Sequence, residues 1–163
     1  NWGSWVGALS IGGVLNGLLL GVGVGVAEEI IFRAWLWEEM NLLIGSRWGL
    51  LAQAAIFSLV HFRSDSGVFA QIALHLGLFL LGIVLALRRR LDQGSLCGAI
   101  GLHGGLVGIW FVINLELFQF STVAPSWLLG SGGLSPNPLG SLLGICALAL
   151  CLWRQLTALA IAR

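Results

Sequence analysis

The sequence predicts an all-α fold, a polytopic transmembrane helical bundle, and three observations predict it. Apolar residues make up 58% of the 163-residue chain and charged residues 9%, against about 25% charged in soluble domains. The few charges punctuate apolar stretches of roughly 20 residues, the length that crosses a bilayer as a helix. Glycines recur at helical spacing, at Gly13, Gly17, Gly21 and Gly25, a stripe that lets a second helix approach backbone to backbone. A net charge of +1 leaves no basic footprint for nucleic acid, so none is expected as a partner. No fixed-period repeat divides the chain, and residues 1–163 read as a single integral-membrane domain.

The elements follow in order. Residues 2–44 hold enough apolar length for two spans joined near residues 16–25, or for one long bent helix carrying the glycine stripe. Residues 48–62 form a short span, opened by Arg47 and closed by Arg63, Ser64 and Asp65. Residues 67–87 form a full span that stops at Arg88, Arg89 and Arg90, and residues 94–115 form another that ends at Glu116. Residues 119–138 contain Pro125, Pro136, Pro138 and the run Gly130-Ser131-Gly132-Gly133. That composition predicts a loop, resting on the membrane interface through Phe120 and Trp127. Residues 139–153 are the last span, followed by Arg154 and Arg163. The total is about six spans, five if the first two are one bent helix.

Alternation along those spans collects Arg47, Arg88, Arg89, Arg90, Arg154 and Arg163 on one side and leaves Arg63 on the other. The arginine-rich side is expected to be cytoplasmic, since basic loops resist translocation. Cys97, Cys146 and Cys151 all fall in apolar segments without zinc-ligand spacing, and read as small buried side chains.

One stretch breaks the apolar pattern. Asn1 through Ala27 carry no charged side chain, and then Glu28, Glu29 and Arg33 arrive within six residues. Ionisable groups at bilayer depth are costly and mark function by default. Successive helical residues turn by about 100°, so Glu29 and Arg33 lie one turn apart and are set to pair. Glu28 points elsewhere and stays available for chemistry. The competing structural reading makes all three a buried ion-pair lock between helices. Of the histidines, His75 lies mid-span one turn after Gln71 and reads as a packing residue. His61 follows Phe57 by four residues, on the same face, and His103 sits among Gly101, Gly104 and Gly105, where a neighbouring helix can come close. Two neutral histidines and a carboxylate from three helices are the parts that water activation and oxyanion stabilisation need.

These residues resemble the CAAX prenyl protease type II and bacteriocin-processing (CPBP) family of intramembrane proteases. Its signature is Glu-Glu-x-x-x-Arg, then Phe-x-x-x-His, then His-x-x-x-Asn or Asp. Glu28, Glu29 and Arg33 complete the first element, and Phe57 and His61 the second. His103 opens the third, but Val107 stands where the family has Asn, and the next asparagine is Asn114. The resemblance covers roughly residues 21–114. It implies an endopeptidase in which Glu28 activates the attacking water, so that Glu28, Glu29, His61 and His103 form the candidate catalytic set. Arg33 and Phe57 would support them structurally. A metal-free mechanism is expected; zinc is the alternative cofactor, with Glu28, His61 and His103 as its ligands. The expected partners are the lipid bilayer and a peptide or protein substrate within it, prenylated in some members. A catalytically silent scaffold or subunit of a larger membrane complex is the second reading, and a small proton-relay transporter a third. The absence of inverted repeats counts against the transporter.

Overall fold

A computed structural model describes residues 1–7, 9–63, 67–130 and 136–161. Ser64 and Asp65, expected to close a span, lie outside the described residues, as do residues 131–133 of the expected loop and Arg163. Four helices are long and apolar enough to cross a membrane. They are α1 (Ile11–Ile44), α3 (Val68–Leu91), α4 (Cys97–Leu117) and α6 (Leu142–Ile161). The fourteen-residue α2 (Ser46–Leu59), the single-turn α5 (Ser126–Leu129) and a 3-10 turn at Pro138–Gly140 are the other helical segments among the described residues. The first two expected spans are therefore one helix. The short span expected over residues 48–62 is the fourteen-residue α2, below the length that crosses a bilayer, which leaves four spanning helices rather than five among the described residues. The 34 residues of α1 rise about 51 Å, well beyond the roughly 30 Å hydrocarbon core.

Ser10 caps α1, its hydroxyl accepting from the Gly13 N–H at 2.8 Å. The Glu116 carboxylate, at the far end of α4, accepts from the Ser10 N–H at 3.1 Å and its O–H at 2.9 Å. A negative charge thus sits at the positive end of the α1 dipole. Short strands β1 (Gly3–Trp5) and β2 (Phe118–Phe120) pair antiparallel beside it. The ribbon is a feature the apolar pattern did not predict, and it ties the N-terminal residues to the end of α4. Between α1 and α2 stands Gly45, with φ +81°, a left-handed conformation that glycine adopts without a steric cost and that ends the long helix.

The glycine stripe packs α1 antiparallel on α4. Gly13 meets the Glu116 carboxylate, Gly17 the Gly108 carbonyl, Gly21 that of Gly104 and Gly25 that of Ile100. A Cβ on Gly13, Gly21 or Gly25 would collide with these atoms, and one on Gly17 with the Val112 side chain. The apolar core lies around α3, where Leu74, Leu78, Leu81, Val84 and Leu85 meet Phe57 of α2, Ala99 of α4 and Leu148 of α6. Cys97 and Cys146, expected to be buried, are instead exposed at the surface of the bundle.

Two local irregularities bring α1 and α3 into register near the arginine run. Residues Ile30–Leu36 of α1 are wound as a π-helix, and the Trp37 N–H reaches back five residues to the Phe32 carbonyl. The Arg33 carbonyl lies inside this π-wound turn. Arg89, at the end of α3, donates to it at 2.6 Å. The second irregularity closes α3: the Gly94 N–H bonds the Arg89 carbonyl and the Gln93 N–H that of Arg90, a Schellman closure. Its left-handed position, usually glycine, is Gln93 at φ +54°, a conformation that costs a non-glycine residue about 1–2 kcal/mol.

Candidate active site

The π-wound turn, the residues just past α2 and the middle of α4 bring Glu28, Glu29, Arg33, His61 and His103 together. Glu29 and Arg33 are wholly buried and pair at 3.0 Å. Glu29 has a second partner: the same carboxylate oxygen accepts from Nδ1 of His103 at 2.8 Å. This carboxylate therefore fixes the orientation of the His103 ring as well as compensating Arg33. Glu28 takes part in neither contact. Its Oε2 lies 3.5 Å from Nε2 of His61 and 3.8 Å from Nε2 of His103. The side chains of Glu28 and His61 are partly open, 25% and 32% exposed, while that of His103 is 5% exposed.

The hydrogen bonds assign the ring protons. His61 Nδ1 lies 2.7 Å from the Phe57 carbonyl, which can only accept, so Nδ1 carries the hydrogen. The same holds for His103 against the Glu29 carboxylate. When both rings are neutral, each Nε2 presents a lone pair towards Glu28. Three acceptor atoms then face one another, and such a centre calls for a donor between them: a proton or a water molecule. Glu28 Oε2 has no hydrogen-bond partner of its own among the described residues.

Phe57 builds the floor. Its ring lies under the Arg33 guanidinium at 4.1 Å and packs edge-on to Phe32 and His103 at centroid distances of 5.1 and 5.7 Å. A guanidinium against an aromatic face gains cation–π attraction, more so when desolvated, which helps Arg33 persist with no solvent exposure. Among the described residues, the Arg33 nitrogens satisfy few of their hydrogen-bonding capacities, and Glu29 Oε2 has no partner either.

His75 stands apart. Its Nδ1 bonds the Gln71 carbonyl at 2.9 Å and its ring packs on Phe62 at 6.3 Å, the role of a packing residue. Val107, half-buried one turn beyond His103, offers no donor. Gly104 and Gly105 lie mid-helix, so their N–H groups are committed to the α4 ladder and do not replace the missing amide. Asn114 lies near the Glu116 end of α4, the end that meets Ser10 and Gly13, rather than beside His103. Among the described residues, no group of three or more His, Cys, Asp or Glu side chains is arranged to hold a metal ion.

Arg89 is the supporting residue that the sequence did not reveal. It sits 56 positions from Arg33, inside an arginine run that reads as a topology signal. Its second role is the hydrogen bond to the Arg33 carbonyl within the π-wound turn.

Residues 10–109 match the family model described as type II CAAX prenyl endopeptidase Rce1-like. No curated protein and no solved structure matches the chain. The matched stretch is more than half of the chain and contains every residue of the cluster, from Glu28 through Phe57 and His61 to His103. The chain belongs to the type II CAAX prenyl endopeptidase Rce1-like family.

Proposed function

We propose that this protein is an intramembrane endopeptidase that hydrolyses a peptide bond with a water molecule activated by Glu28. The observation that carries the reading is the convergence of two histidine Nε2 atoms, contributed by two other segments, on the one carboxylate left free of the ion pair. A water held there donates to Glu28 and to a histidine lone pair. Glu28 takes its proton as the oxygen bonds to the scissile carbonyl carbon, and the carbonyl becomes an oxyanion. The proton that the three facing acceptors call for rests on His103 Nε2, so this ring, held through Nδ1 by Glu29, donates to that oxyanion and keeps its proton as the carbonyl re-forms. His61 relays the proton from Glu28 to the leaving amine as the C–N bond breaks. The substrate is a peptide or protein segment at the membrane, prenylated if it carries a CAAX terminus.

No step is routed through a metal. A chelator is expected to leave activity unchanged, and a loss restored by added zinc would replace the glutamate mechanism with a metal-dependent one. The principal test compares membrane-protein termini, by mass spectrometry, between cells carrying the native chain and cells carrying Glu28→Gln at equal abundance. Termini that change with Glu28→Gln identify a working protease and its substrates. An identical set, with both proteins folded, would sink the mechanism. It would favour the second reading, a silent subunit of a larger complex, for which Val107 in place of an amide is the supporting observation.

A further inference from the structure

Away from the candidate active site, a pocket of about 320 Å³ opens between the last turns of α1 and the end of α3. Trp37 and Glu38 line it on one side, Arg89, Arg90 and Gln93 on the other. The three consecutive arginines there are used differently. Arg88 holds Asp92 in a two-pronged contact at 2.6 and 2.8 Å. Arg89 holds Glu38 at 2.9 Å and the Arg33 carbonyl at 2.6 Å, so the one carboxylate in the pocket is already matched. Arg90 has only the Trp37 ring, 5.4 Å away, and no carboxylate partner among the described residues. The pocket therefore carries one uncompensated guanidinium beside a second that is only partly used.

Two further observations point to a ligand. Trp37 is 4% exposed, and its indole N–H, a donor only, has no acceptor among the described residues. Gln93 occupies a left-handed position where glycine is usual, and in doing so it adds an amide to the pocket wall. Strain held at a residue that lines a cavity is a pointer to function. The location adds chemistry: this is the end of an apolar helix where arginines gather, the depth at which phospholipid headgroups lie.

We propose that this pocket binds a phosphate group, supplied by an anionic phospholipid whose headgroup sits at the junction of α1 and α3. Arg90 takes the phosphate oxygens through its planar fork, the geometry in which guanidinium pairs best with phosphate. Arg89 and the Gln93 amide supply further donors. The acyl chains of the lipid run along the apolar flank of the bundle.

The test is thermal unfolding of the full chain in detergent, with phosphatidylglycerol, phosphatidylcholine or inorganic phosphate added in turn. Phosphatidylglycerol is expected to raise the midpoint by several degrees, as a ligand that binds only the folded state must, and phosphatidylcholine to leave it in place. Arg90→Gln should unfold at the native temperature without lipid and lose more than half of the lipid-induced shift. Arg88→Gln, which breaks only the Asp92 pair, should keep that shift. Equal shifts from both phospholipids, or equal losses in Arg88→Gln and Arg90→Gln, would overturn the proposal. A shift from inorganic phosphate alone, lost in Arg90→Gln, would keep the phosphate site and overturn the lipid as its source.

Discussion

Glu28 and Glu29 are adjacent in sequence and opposite in function, because a helix turns them to different surroundings. Glu29 is buried between a guanidinium and an imidazole; Glu28 faces two imidazole nitrogens and a partial opening. A buried ion pair contributes little net stability, but breaking it strands a charge at a cost of about 3–5 kcal/mol. Arg33→Met alone should therefore destabilise the protein by about that amount in denaturation from detergent. Combining it with Glu29→Gln should restore most of the loss, since no bare charge is left. If the double variant is no more stable than Arg33→Met, the pairing is not what holds these residues. Activity separates the two carboxylates further. Removing a positioned base costs typically 10²–10⁴-fold, so Glu28→Gln should lower kcat by about that factor with stability unchanged. Glu29→Gln should lower both. The pairing of Glu29 with Arg33 was legible in the sequence from four-residue spacing. The bond from Glu29 to His103 was not, because it joins residues 74 positions apart and no local pattern encodes it.

At the scale of elements, α1 and α4 form the seam that delivers His103 to the glutamates. Its closeness depends on glycines of each helix facing the other's carbonyls, and the adjacent pair Gly104 and Gly105 provides an internal comparison. A Cβ at Gly104 would meet the Gly21 carbonyl, whereas one at Gly105 meets nothing within 4 Å. Overpacking a tight contact costs about 1–3 kcal/mol. Gly104→Ala should lose stability in that range and lower activity by shifting His103, while Gly105→Ala should change neither. Equal effects from the two would show that helix propensity, not the seam, governs the region. The glycine stripe and its packing role were readable from periodicity. The helix that packs on it was not, because small residues declare a close approach without naming the partner. The π-turn was hidden for a related reason: no glycine or proline marks residues 30–36, and Arg89, which bonds the Arg33 carbonyl within it, is distant in sequence.

At the scale of the whole molecule, the β1–β2 ribbon and the arginines fix opposite ends of the bundle. The ribbon joins the N-terminal residues to the end of α4, whereas Arg47 opens α2 and Arg88, Arg89 and Arg90 close α3 at the other end. The gathering of Arg47 with Arg88, Arg89 and Arg90 was legible from charge spacing, because each abuts a long apolar run; Arg154, expected to follow the last span, lies inside α6 instead. Basic ends are retained in the cytoplasm, so Cys97, next to the arginine cluster and exposed at the start of α4, should face inward, and Ser121, just beyond the ribbon, outward. In intact cells, with Cys146 and Cys151 replaced by alanine, a membrane-impermeant maleimide should leave Cys97 unlabelled until the membrane is opened. A second chain carrying Cys97→Ala and Ser121→Cys should react at once. The reverse pattern would put the arginines outside and overturn the orientation. It would also move the Arg90 pocket to the outer leaflet, so labelling decides in which leaflet its anionic lipid is to be sought.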